Sequence, residues 1–469
     1  MLDGKEPMKQ KKTRYKLHEA LPLPTWERVR AIVDRAALAA NYRALMTPVW
    51  EVAPNTRAIG VVKADAYGHG AAVVAEVLLA CGCRDLAVSS LEEAIALRQI
   101  LCELAKSRAG ASDSAPIEEE TETLPVDPSE VSILVLGYVV PEAAAILAAE
   151  NITATLLSRE HAEALGAAAA MRGCTVSVHI ALDTGMNRIG FPAHGETEIA
   201  QTVADLTALF GRTGRYSPAE KRGGLRLAGI FTHFAEADGE PWTGTLSESL
   251  LTEEIPADIT LSHAEARTLE QYRRYAAVLE GLRASGVETG LRHVCNTAAT
   301  VRLPKAMPSA CLDAVRLGIG LYGYGEEPTA GALRPAMRLE TIISHVHNLL
   351  PGEGVSYGGT YAAGESRLLA TLPIGYADGW LRAYSGAEVV VRTSVGDFPA
   401  PLVGRICMDQ CMADITNLPE SARRLVGPGT PVLLFGEERE RLEALAARAD
   451  TICYEVLCLV TARVERRSE

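Results

Sequence analysis

Residues 58–93 read AIGVVKADAYGHGAAVVAEVLLACGCRDLAVSSLEE. The stretch contains an apolar run (AIGVVKA), an alanine- and valine-rich amphipathic segment (GAAVVAEVLLA) and a second apolar run (DLAVSS). Ser90 and Glu93 follow with the spacing of a capping box, which predicts the start of another helix. A strand, a helix and a second strand in this order predict two parallel strands joined by a crossover helix.

The same alternation continues from residue 58 to about residue 323. Alanine-rich amphipathic segments separate most of the eight apolar runs of this region, which are AIGVVKA, DLAVSS, SILVLG, ITATLL, TVSVHIALD, LRLAGIFTHF, LRHVCN and AVRLGIG. Eight strand–helix units fit a (β/α)8 barrel better than an open doubly wound sheet, which usually has fewer strands. The predicted fold class is therefore α/β, with a (β/α)8 barrel in residues 25–334 and the open sheet as the alternative.

The pattern changes after Arg334-Pro335, where helices give way to short alternating strands. The strand candidates are ETIISHVHNL, RLLATLPIGY, EVVVRTS, PAPLVGRI and PVLLFG, followed by one helix candidate, ERLEALAARAD. Residues 335–469 are therefore predicted to form a mostly β C-terminal domain. Residues 1–24 are an N-terminal extension, and a strand near the start of residues 25–334 is a candidate to join the β domain.

Three segments have the composition of surface insertions, because they are polar or rich in Gly, Ser and Pro: residues 106–130, 211–224 and 237–260. Each falls between a predicted helix and a predicted strand, where a long loop destabilises a fold little. We interpret all three as surface decoration, although they and the N-terminal extension could also contact a partner.

The chain has 469 residues, a net charge of −13 and ten cysteines. The negative charge argues against nucleic acid as a partner, because no basic surplus is present to neutralise phosphates. No apolar run reaches the roughly eighteen residues of a membrane helix, and the polar, basic N-terminus lacks the apolar segment of a secretory signal. The cysteines form neither CxxC pairs nor a dense framework, so we expect reduced thiols, no metal site and a cytoplasmic location.

Lys63 lies at the C-terminal end of the first predicted strand. Barrels place their catalytic residues at this end of the strands, and a lysine on an inward-facing strand is destabilising to bury without a partner or a chemical role. One such role is Schiff-base formation with an aldehyde. Taken alone, a lysine that reaches out to solvent is the commoner arrangement.

Polar residues follow other strand ends in the same way: Asp183-Thr184-Gly185-Met186-Asn187-Arg188, Thr232-His233-Phe234, Asn296-Thr297-Ala298-Ala299 and Arg316-Leu317-Gly318-Ile319. A threonine that opens a short helix beside a glycine-containing turn is typical of an anion site, and barrels often bind phosphate after strands seven and eight. A lysine, an anion site and a partner for a ring nitrogen are what a phosphorylated aldehyde cofactor requires.

Eight motifs resemble, in the same order, those of bacterial alanine racemases, which are fold-type III pyridoxal-phosphate enzymes: VVKADAYGHG, DTGMNRIGF, THF, CNTAAT, VRLGIGLYG, PIGYADGW, GRICMDQ and YEV. The resemblance extends from about Thr25 to Arg466. It implies a homodimeric enzyme that uses pyridoxal 5'-phosphate to convert L-alanine to D-alanine for peptidoglycan.

The resemblance also implies which residues contact the cofactor. Lys63 would bind the aldehyde covalently, and Arg316 would face the pyridine nitrogen. Because an arginine cannot accept a proton, that nitrogen would stay neutral, which disfavours transamination. Tyr67, Tyr454, Thr297 and the backbone amides around Gly318 and Ile319 would contact the phosphate, and His233 and Arg188 would lie at the ring. Asn296 is also expected to contact the cofactor. Thr297 replaces the serine usual in the family and keeps its hydroxyl.

Racemisation needs a proton removed from one face of the substrate Cα and returned to the other face. The resemblance gives these two roles to Lys63 and to the partner subunit's Tyr376, and it implies that Arg188 and the Met408 amide hold the substrate carboxylate. A phenol with an ordinary pKa of roughly 10 acts as a base only where positive charge or hydrogen bonds favour the phenolate. Near Met408, Asp409 would shape the site, Arg405 could attract substrate at its entrance, and Cys407 is expected to pack.

The sequence departs from the family at Ala181. Many members carry a lysine two residues before the aspartate of DTGM, and that lysine is carbamylated and supports the arginine. Alanine offers neither charge nor hydrogen bond, so we expect Arg188 to be less firmly held.

Three other functions stay open at this point. The first is a racemase of serine or of broader specificity, because the residues around a methyl-sized pocket cannot be ranked. The second is a fold-type III decarboxylase, which would lack the arginine at the ring nitrogen and the IGYADG tyrosine. The third is a non-catalytic pyridoxal-phosphate-binding protein, which would consist of the barrel alone.

Overall fold

The computed structural model describes residues 28–109, 127–217, 223–240, 242–244, 246–251, 255–256, 258–325 and 333–469. The N-terminal extension, most of the segment 106–130 and parts of the other two expected insertions lie outside these ranges. Within them, no helix combines the length and the apolar character needed to cross a membrane. The described His, Cys, Asp and Glu side chains also form no group of three that could hold a metal ion.

The first half of the chain alternates strands and helices. The strands are β1 (Val29–Val33), β2 (Arg57–Val61), β3 (Asp85–Val88), β4 (Ser132–Val135), β5 (Ile152–Leu156), β6 (Thr175–Asp183), β7 (Phe191–Pro192), β8 (Gly224–Phe231), β9 (Leu291–His293) and β10 (Ala314–Leu317). The helices are α1 (Arg35–Val52), α2 (Lys63–Tyr67), α3 (Ala71–Ala80), α4 (Leu91–Ala109), α5 (Ala144–Ala149), α6 (Arg159–Met171), α7 (Glu196–Phe210), α8 (His263–Ala284) and α9 (Thr297–Ala306).

Eight of these strands close into a parallel barrel in the order β2, β3, β4, β5, β6, β8, β9 and β10. Closure is complete because β10 pairs with β2 and β5 pairs with β6. All residues of β3, β5 and β10 are buried, as expected for strands covered by helices outside and by barrel side chains inside. The barrel prediction is confirmed, each of the eight apolar runs contributes one strand, and the open sheet is excluded.

Side-chain caps fix where several of the barrel helices begin. Ser262 accepts a hydrogen bond from the Glu265 amide, and the Glu265 side chain accepts one from the Ser262 amide, which forms a capping box for α8. Ser158 caps α6 through the His161 amide. These polar residues precede the apolar stripes, so the sequence specifies both the start and the packed face of each helix.

The second half of the chain is mostly β, as predicted. Its strands are β11 (Met337–Ile342), β12 (His345–Leu349), β13 (Gly354–Val355), β14 (Tyr361–Ala362), β15 (Arg367–Leu372), β16 (Glu388–Thr393), β17 (Gly396–Val403), β18 (Cys411–Asp414), β19 (Pro431–Phe435) and β20 (Glu465–Ser468). Its helices are α10 (Glu420–Arg423), α11 (Arg439–Arg448) and α12 (Cys453–Leu459).

These strands and β1 form a nine-stranded sheet in the order β12, β15, β18, β17, β16, β19, β11, β1 and β20. The start of the chain thus belongs to this sheet: β1 runs antiparallel to β11 and parallel to β20. The run ETIISHVHNL, predicted as one strand, forms two. The backbone changes partner at its middle, where the Ile343 amide donates to Thr430 and the Ser344 amide donates to Thr371.

Candidate active site

A cavity of about 660 Å³ opens where the barrel strands end at their carboxyl termini. Its lining includes all ten residues predicted from the sequence to contact the cofactor, which are Lys63, Tyr67, Arg188, His233, Asn296, Thr297, Arg316, Gly318, Ile319 and Tyr454. Nine come from barrel strand ends, which parallel strands necessarily bring to one rim, and Tyr454 comes from α12.

Tyr376 and Met408 are not among the residues that line this cavity. They lie on the β domain with exposed fractions of 40% and 53%. Backbone hydrogen bonds hold their two segments side by side, from the Tyr376 amide to the Cys407 oxygen (3.1 Å) and from the Ala377 amide to the Met408 oxygen (3.0 Å). One chain therefore presents these residues together at its surface, away from its own cavity.

Lys63 opens a backbone turn that the sequence did not reveal. The four residues Ala64, Asp65, Ala66 and Tyr67 have φ values of 53°, 51°, 54° and 52°, so α2 turns in the left-handed sense. This conformation costs roughly 1–2 kcal/mol per residue for side chains other than glycine. The only hint in the sequence is the pair Gly68 and Gly70, whose φ values are also positive. The turn places both Lys63 and Tyr67 at the cavity.

The amine of Lys63 is easier to deprotonate than that of a free lysine. Burial lowers its pKa, and the positive charge of Arg188 lowers it further, while Cys458 and Glu93 act in the opposite direction. A lower pKa increases the fraction of neutral amine, which is the form that attacks an aldehyde or accepts a proton.

Hydroxyl groups and a helix N-terminus converge at one end of the cavity. Thr297 is the first residue of α9, and the Asn296 side chain caps that helix through the Ala299 amide (3.0 Å). A Cβ atom at Gly318 would lie 3.0 Å from Tyr67 Oη and 3.8 Å from Thr297 Oγ1, so both hydroxyls point toward this glycine. Burial raises the pKa of Tyr67, which keeps its phenol a hydrogen-bond donor. This end of the cavity is suited to an anion.

Arg316 is buried in the cavity wall, with an exposed fraction of 3%. Its Nη1 donates to His293 Nδ1 (2.8 Å), and its Nη2 donates to the backbone oxygens of Thr232 and Val294, each at 2.9 Å. None of the hydrogen bonds among the described residues starts from its Nε. Burial lowers the pKa of Arg316 to about 10, which still leaves it positively charged at neutral pH. The group is therefore a fixed donor that accepts no proton.

Neutral histidines surround this arginine. Because Arg316 only donates, His293 Nδ1 must accept, and the proton of His293 lies on Nε2, from which it donates to His179 Nδ1 (3.0 Å). Burial, followed by nearby positive charges, lowers the pKa of His233 to about 3 and that of His179 to about 3. His179 and His293 were not predicted as site residues, since a single histidine in an apolar run gives no sign of a partner.

Arg188 follows a tight turn after β6. The Asp183 carboxylate accepts hydrogen bonds from the Gly185 amide (3.1 Å) and the Asn187 amide (2.9 Å), which fixes the turn. Among the described residues, no hydrogen bond or ion pair is found for the Arg188 side chain. Ala181 is buried with an exposed fraction of 2% and also lines the cavity, so it contributes neither a charge nor a hydrogen bond.

The charges of the cavity favour anionic ligands. Lys63, Arg188 and Arg316 line it, whereas Asp238 is the one carboxylate among the described lining residues. A positive, partly enclosed site of this kind attracts phosphate and carboxylate groups. Together with a nucleophilic amine and a donor-only arginine, the residues present fit a phosphorylated aldehyde and an amino acid.

Comparisons with known proteins give matches over most of the chain. Residues 33–326 match the family model of the alanine racemase N-terminal domain, and residues 336–468 match that of the C-terminal domain. An alanine racemase of Desulfovibrio desulfuricans is 38% identical over 447 residues, which is 94% of this chain and 97% of that protein. Alanine racemase 1 of Clostridium acetobutylicum is 32% identical over 94% of this chain and 95% of its own length.

Solved structures give the same result. The alanine racemase of Clostridium difficile 630 has a TM-score of 0.72 and 31% identity, with 94% of this chain and 96% of that chain covered. The alanine racemase of Bacillus anthracis with bound L-Ala-P has a TM-score of 0.71 and 28% identity, with 95% and 96% covered.

Proposed function

This chain belongs to the alanine racemase family, and on that basis we propose that it interconverts L-alanine and D-alanine with pyridoxal 5'-phosphate as its cofactor. The proposal is supported above all by the residues that line one cavity. It combines a lysine with a lowered pKa, an anion site at a helix N-terminus and a buried arginine that cannot accept a proton. A decarboxylase of the same fold would not be expected to have that arginine.

The lining residues divide between the parts of the cofactor. Lys63 would hold its aldehyde carbon. Tyr67, Tyr454, Thr297, Asn296 and the backbone at Gly318 and Ile319 would form the phosphate site, and His233 and Arg316 would contact the ring. When bound, pyridoxal phosphate withdraws electrons from an amino acid and makes the proton on Cα acidic. Arg316 leaves the ring nitrogen without a proton, which favours return of the proton to Cα over transamination.

Two groups would exchange the Cα proton, one on each face of the substrate. Lys63 would serve one face, and the partner subunit's Tyr376 would serve the other. Tyr376 is exposed and is held beside Met408, so a partner chain could deliver a base and a carboxylate-binding amide as one unit. An isologous homodimer would complete two such sites at once.

Arg188 and the partner's Met408 amide would hold the substrate carboxylate. Arg188 faces the cavity and is positively charged, and Met408 lies at an exposed turn of the β domain. We further infer from the family a cytoplasmic enzyme whose D-alanine supplies peptidoglycan.

A single experiment tests the reaction. The holoenzyme is incubated with L-alanine in deuterated water, while NMR follows deuterium at Cα and circular dichroism follows optical inversion. We expect exchange at Cα together with inversion. Release of carbon dioxide would instead indicate a decarboxylase, and bound cofactor without any turnover would indicate a non-catalytic binding protein. L-serine in a parallel incubation measures the breadth of specificity.

The change Gly318→Ala is expected to weaken pyridoxal-phosphate binding about tenfold to a hundredfold. The new methyl group would lie 3.0 Å from Tyr67 Oη and would fill the space between two hydroxyls of the anion site. Absorbance titration with the cofactor measures the dissociation constant. Gly364→Ala is the matched control, because a Cβ there meets no atom within 4 Å. Equal affinities of the two variants would contradict a phosphate site at Gly318.

Replacing Ala181 with lysine is expected to lower the KM for alanine about fivefold, equivalent to one additional hydrogen bond. A carbamylated lysine at this position would support Arg188, which has no described hydrogen bond of its own. Steady-state kinetics measure KM, and a crystal structure locates the arginine. Ala181→Met controls for the added volume. An unchanged KM and an unmoved Arg188 would show that alanine leaves the arginine as well placed as lysine does.

A further inference from the structure

The backbone after Lys63 needs outside support. Four consecutive residues, none of them glycine, hold positive φ values directly after the lysine. Such strained conformations persist only where the surroundings fix them, and they gather at active sites. The turn has its own hydrogen bonds, from the Ala66 amide to Val62 (2.9 Å) and from the Gly68 amide to Ala64 (2.9 Å). The second of these bonds engages the carbonyl oxygen of Ala64, but among the described residues no backbone oxygen accepts from the Ala64 amide, the group immediately after Lys63.

Glu93 supplies that contact. Its Oε1 accepts a hydrogen bond from the Ala64 amide at 2.7 Å. Its Oε2 accepts from both the amide and the hydroxyl of Ser89, each at 2.8 Å. Ser89 directly follows β3, which is the neighbour of β2 in the barrel. One carboxylate thus connects the backbone next to Lys63 to the end of the adjacent strand.

Other side chains hold the far end of the same loop. Asp65 Oδ1 accepts from the Ala71 amide (2.7 Å), and Arg466 Nε donates to the Gly68 oxygen (2.9 Å). Neither side chain hydrogen-bonds the backbone of Ala64. Among the described side chains, Glu93 is the one that does, so its loss would remove the side-chain anchor from the lysine end of the turn and leave the anchors of the other end in place.

Glu93 also differs in charge from the other groups that face Lys63. Arg188 comes from the turn after β6, His233 from the turn after β8, and Cys458 from α12. Arg188 is positive and His233 is neutral, since its pKa lies near 3. The carboxylate of Glu93 acts against the lowering of the Lys63 pKa by Arg188 and by burial.

We propose that Glu93 is a positioning residue for Lys63: its carboxylate fixes the left-handed turn at Ala64 and so aims the ε-amine at the reacting carbon. The proposal rests on the function proposed above, in which Lys63 binds the cofactor and moves a proton. It assigns a second role to a residue whose place in the first turn of α4 suggests only helix capping.

The test compares Glu93→Gln with Glu92→Gln in the holoenzyme. The control removes the same charge one residue earlier, where the side chain lies in solvent. Glutamine has a single acceptor oxygen, so it cannot accept from the Ala64 amide and from the Ser89 amide at the same time. In E93Q we expect amide hydrogen exchange in residues 62–70, measured by mass spectrometry, to accelerate about tenfold. We also expect kcat/KM to fall about tenfold to a hundredfold through kcat.

A pH profile separates positioning from a loss of stability. Removal of the negative charge should lower the pKa of Lys63 further, so the acidic limb of the kcat profile should move to lower pH. E92Q should match the wild type in all three measurements. Glu93→Asp keeps the charge but shortens the side chain, so it should retain the pH profile and lose part of kcat. It also serves as the second variant if E93Q does not fold.

Two results would overturn the proposal. One is exchange in residues 62–70 that is equal in E93Q and E92Q, and the other is faster exchange with unchanged kcat and an unchanged pH profile. Failure of the wild-type protein to invert alanine would overturn the proposed function instead. Amide hydrogen exchange does not depend on turnover, so failure of the proposed role of Glu93 can be distinguished from failure of the proposed racemase function.

Discussion

Changing Lys63 to methionine is expected to abolish the inversion of alanine, with kcat/KM falling by at least roughly ten-thousandfold. Methionine has a similar length and fills the same partly buried position, so the barrel should keep its stability. The change removes both the amine that would hold the aldehyde and one of the two bases. Chiral chromatography of the products measures turnover, and visible absorbance after reconstitution measures covalently held cofactor.

Lys305→Met provides the control for this variant. Lys305 lies exposed near the end of α9, so its loss removes a lysine from the barrel without changing the cavity. That variant should keep full turnover and normal absorbance. If K63M stays coloured and turns over alanine as fast as K305M, Lys63 has neither of the proposed roles.

The second large effect is expected from Tyr376→Phe, which should lower kcat/KM about a thousandfold. The substitution removes one hydroxyl from an exposed residue that lies away from the cavity of its own chain. A loss of this size therefore requires that the phenol act in the cavity of another chain. Thermal unfolding of the variant should match that of the wild type, since no hydrogen bond of the Tyr376 hydroxyl is described.

Co-expression of two inactive variants tests directly whether the active site is shared between two subunits. K63M and Y376F, co-expressed in equal amounts, should form heterodimers in which one of the two sites has both Lys63 and Tyr376. Random pairing then restores about one quarter of wild-type activity. Co-expression of K63M with the double variant K63M/Y376F is the control, because no pairing assembles an intact site. Absence of recovery in the first mixture would place both residues in one subunit and contradict the shared site.

The barrel could be predicted from sequence because parallel strands are buried on both faces. Runs such as DLAVSS and SILVLG have no regular polar alternation, and helical segments lie between most of the runs. The strands of the β domain were harder to predict from the sequence. The strand at Cys411–Asp414 was not predicted, since its four residues mix polar and apolar types without a clear period. The change of hydrogen-bonding partner between Ile343 and Ser344 could not be predicted either, because it depends on strands that are distant in the sequence.

The candidate site was predictable where its residues follow strand ends. Lys63, His233, Thr297 and Arg316 meet at one rim because the topology requires it. Contacts between side chains could not be predicted in this way. Glu93 was predicted as part of a capping box with Ser90. In the structure the Ser90 hydroxyl does accept from the Glu93 amide, but the Glu93 carboxylate binds Ser89 and the Ala64 amide, 29 positions earlier.

The position of β1 between β11 and β20 affects the order in which the molecule can assemble during translation. The barrel strands lie within residues 57–317, so they can associate while the ribosome is still adding the later segments. In contrast, Ala31 aligns with Leu339 on one side and with Arg466 on the other. Among the strands of the described residues, β1 is synthesised first and yet waits for neighbours that are synthesised last, and long-range pairing of this kind is intrinsically slow.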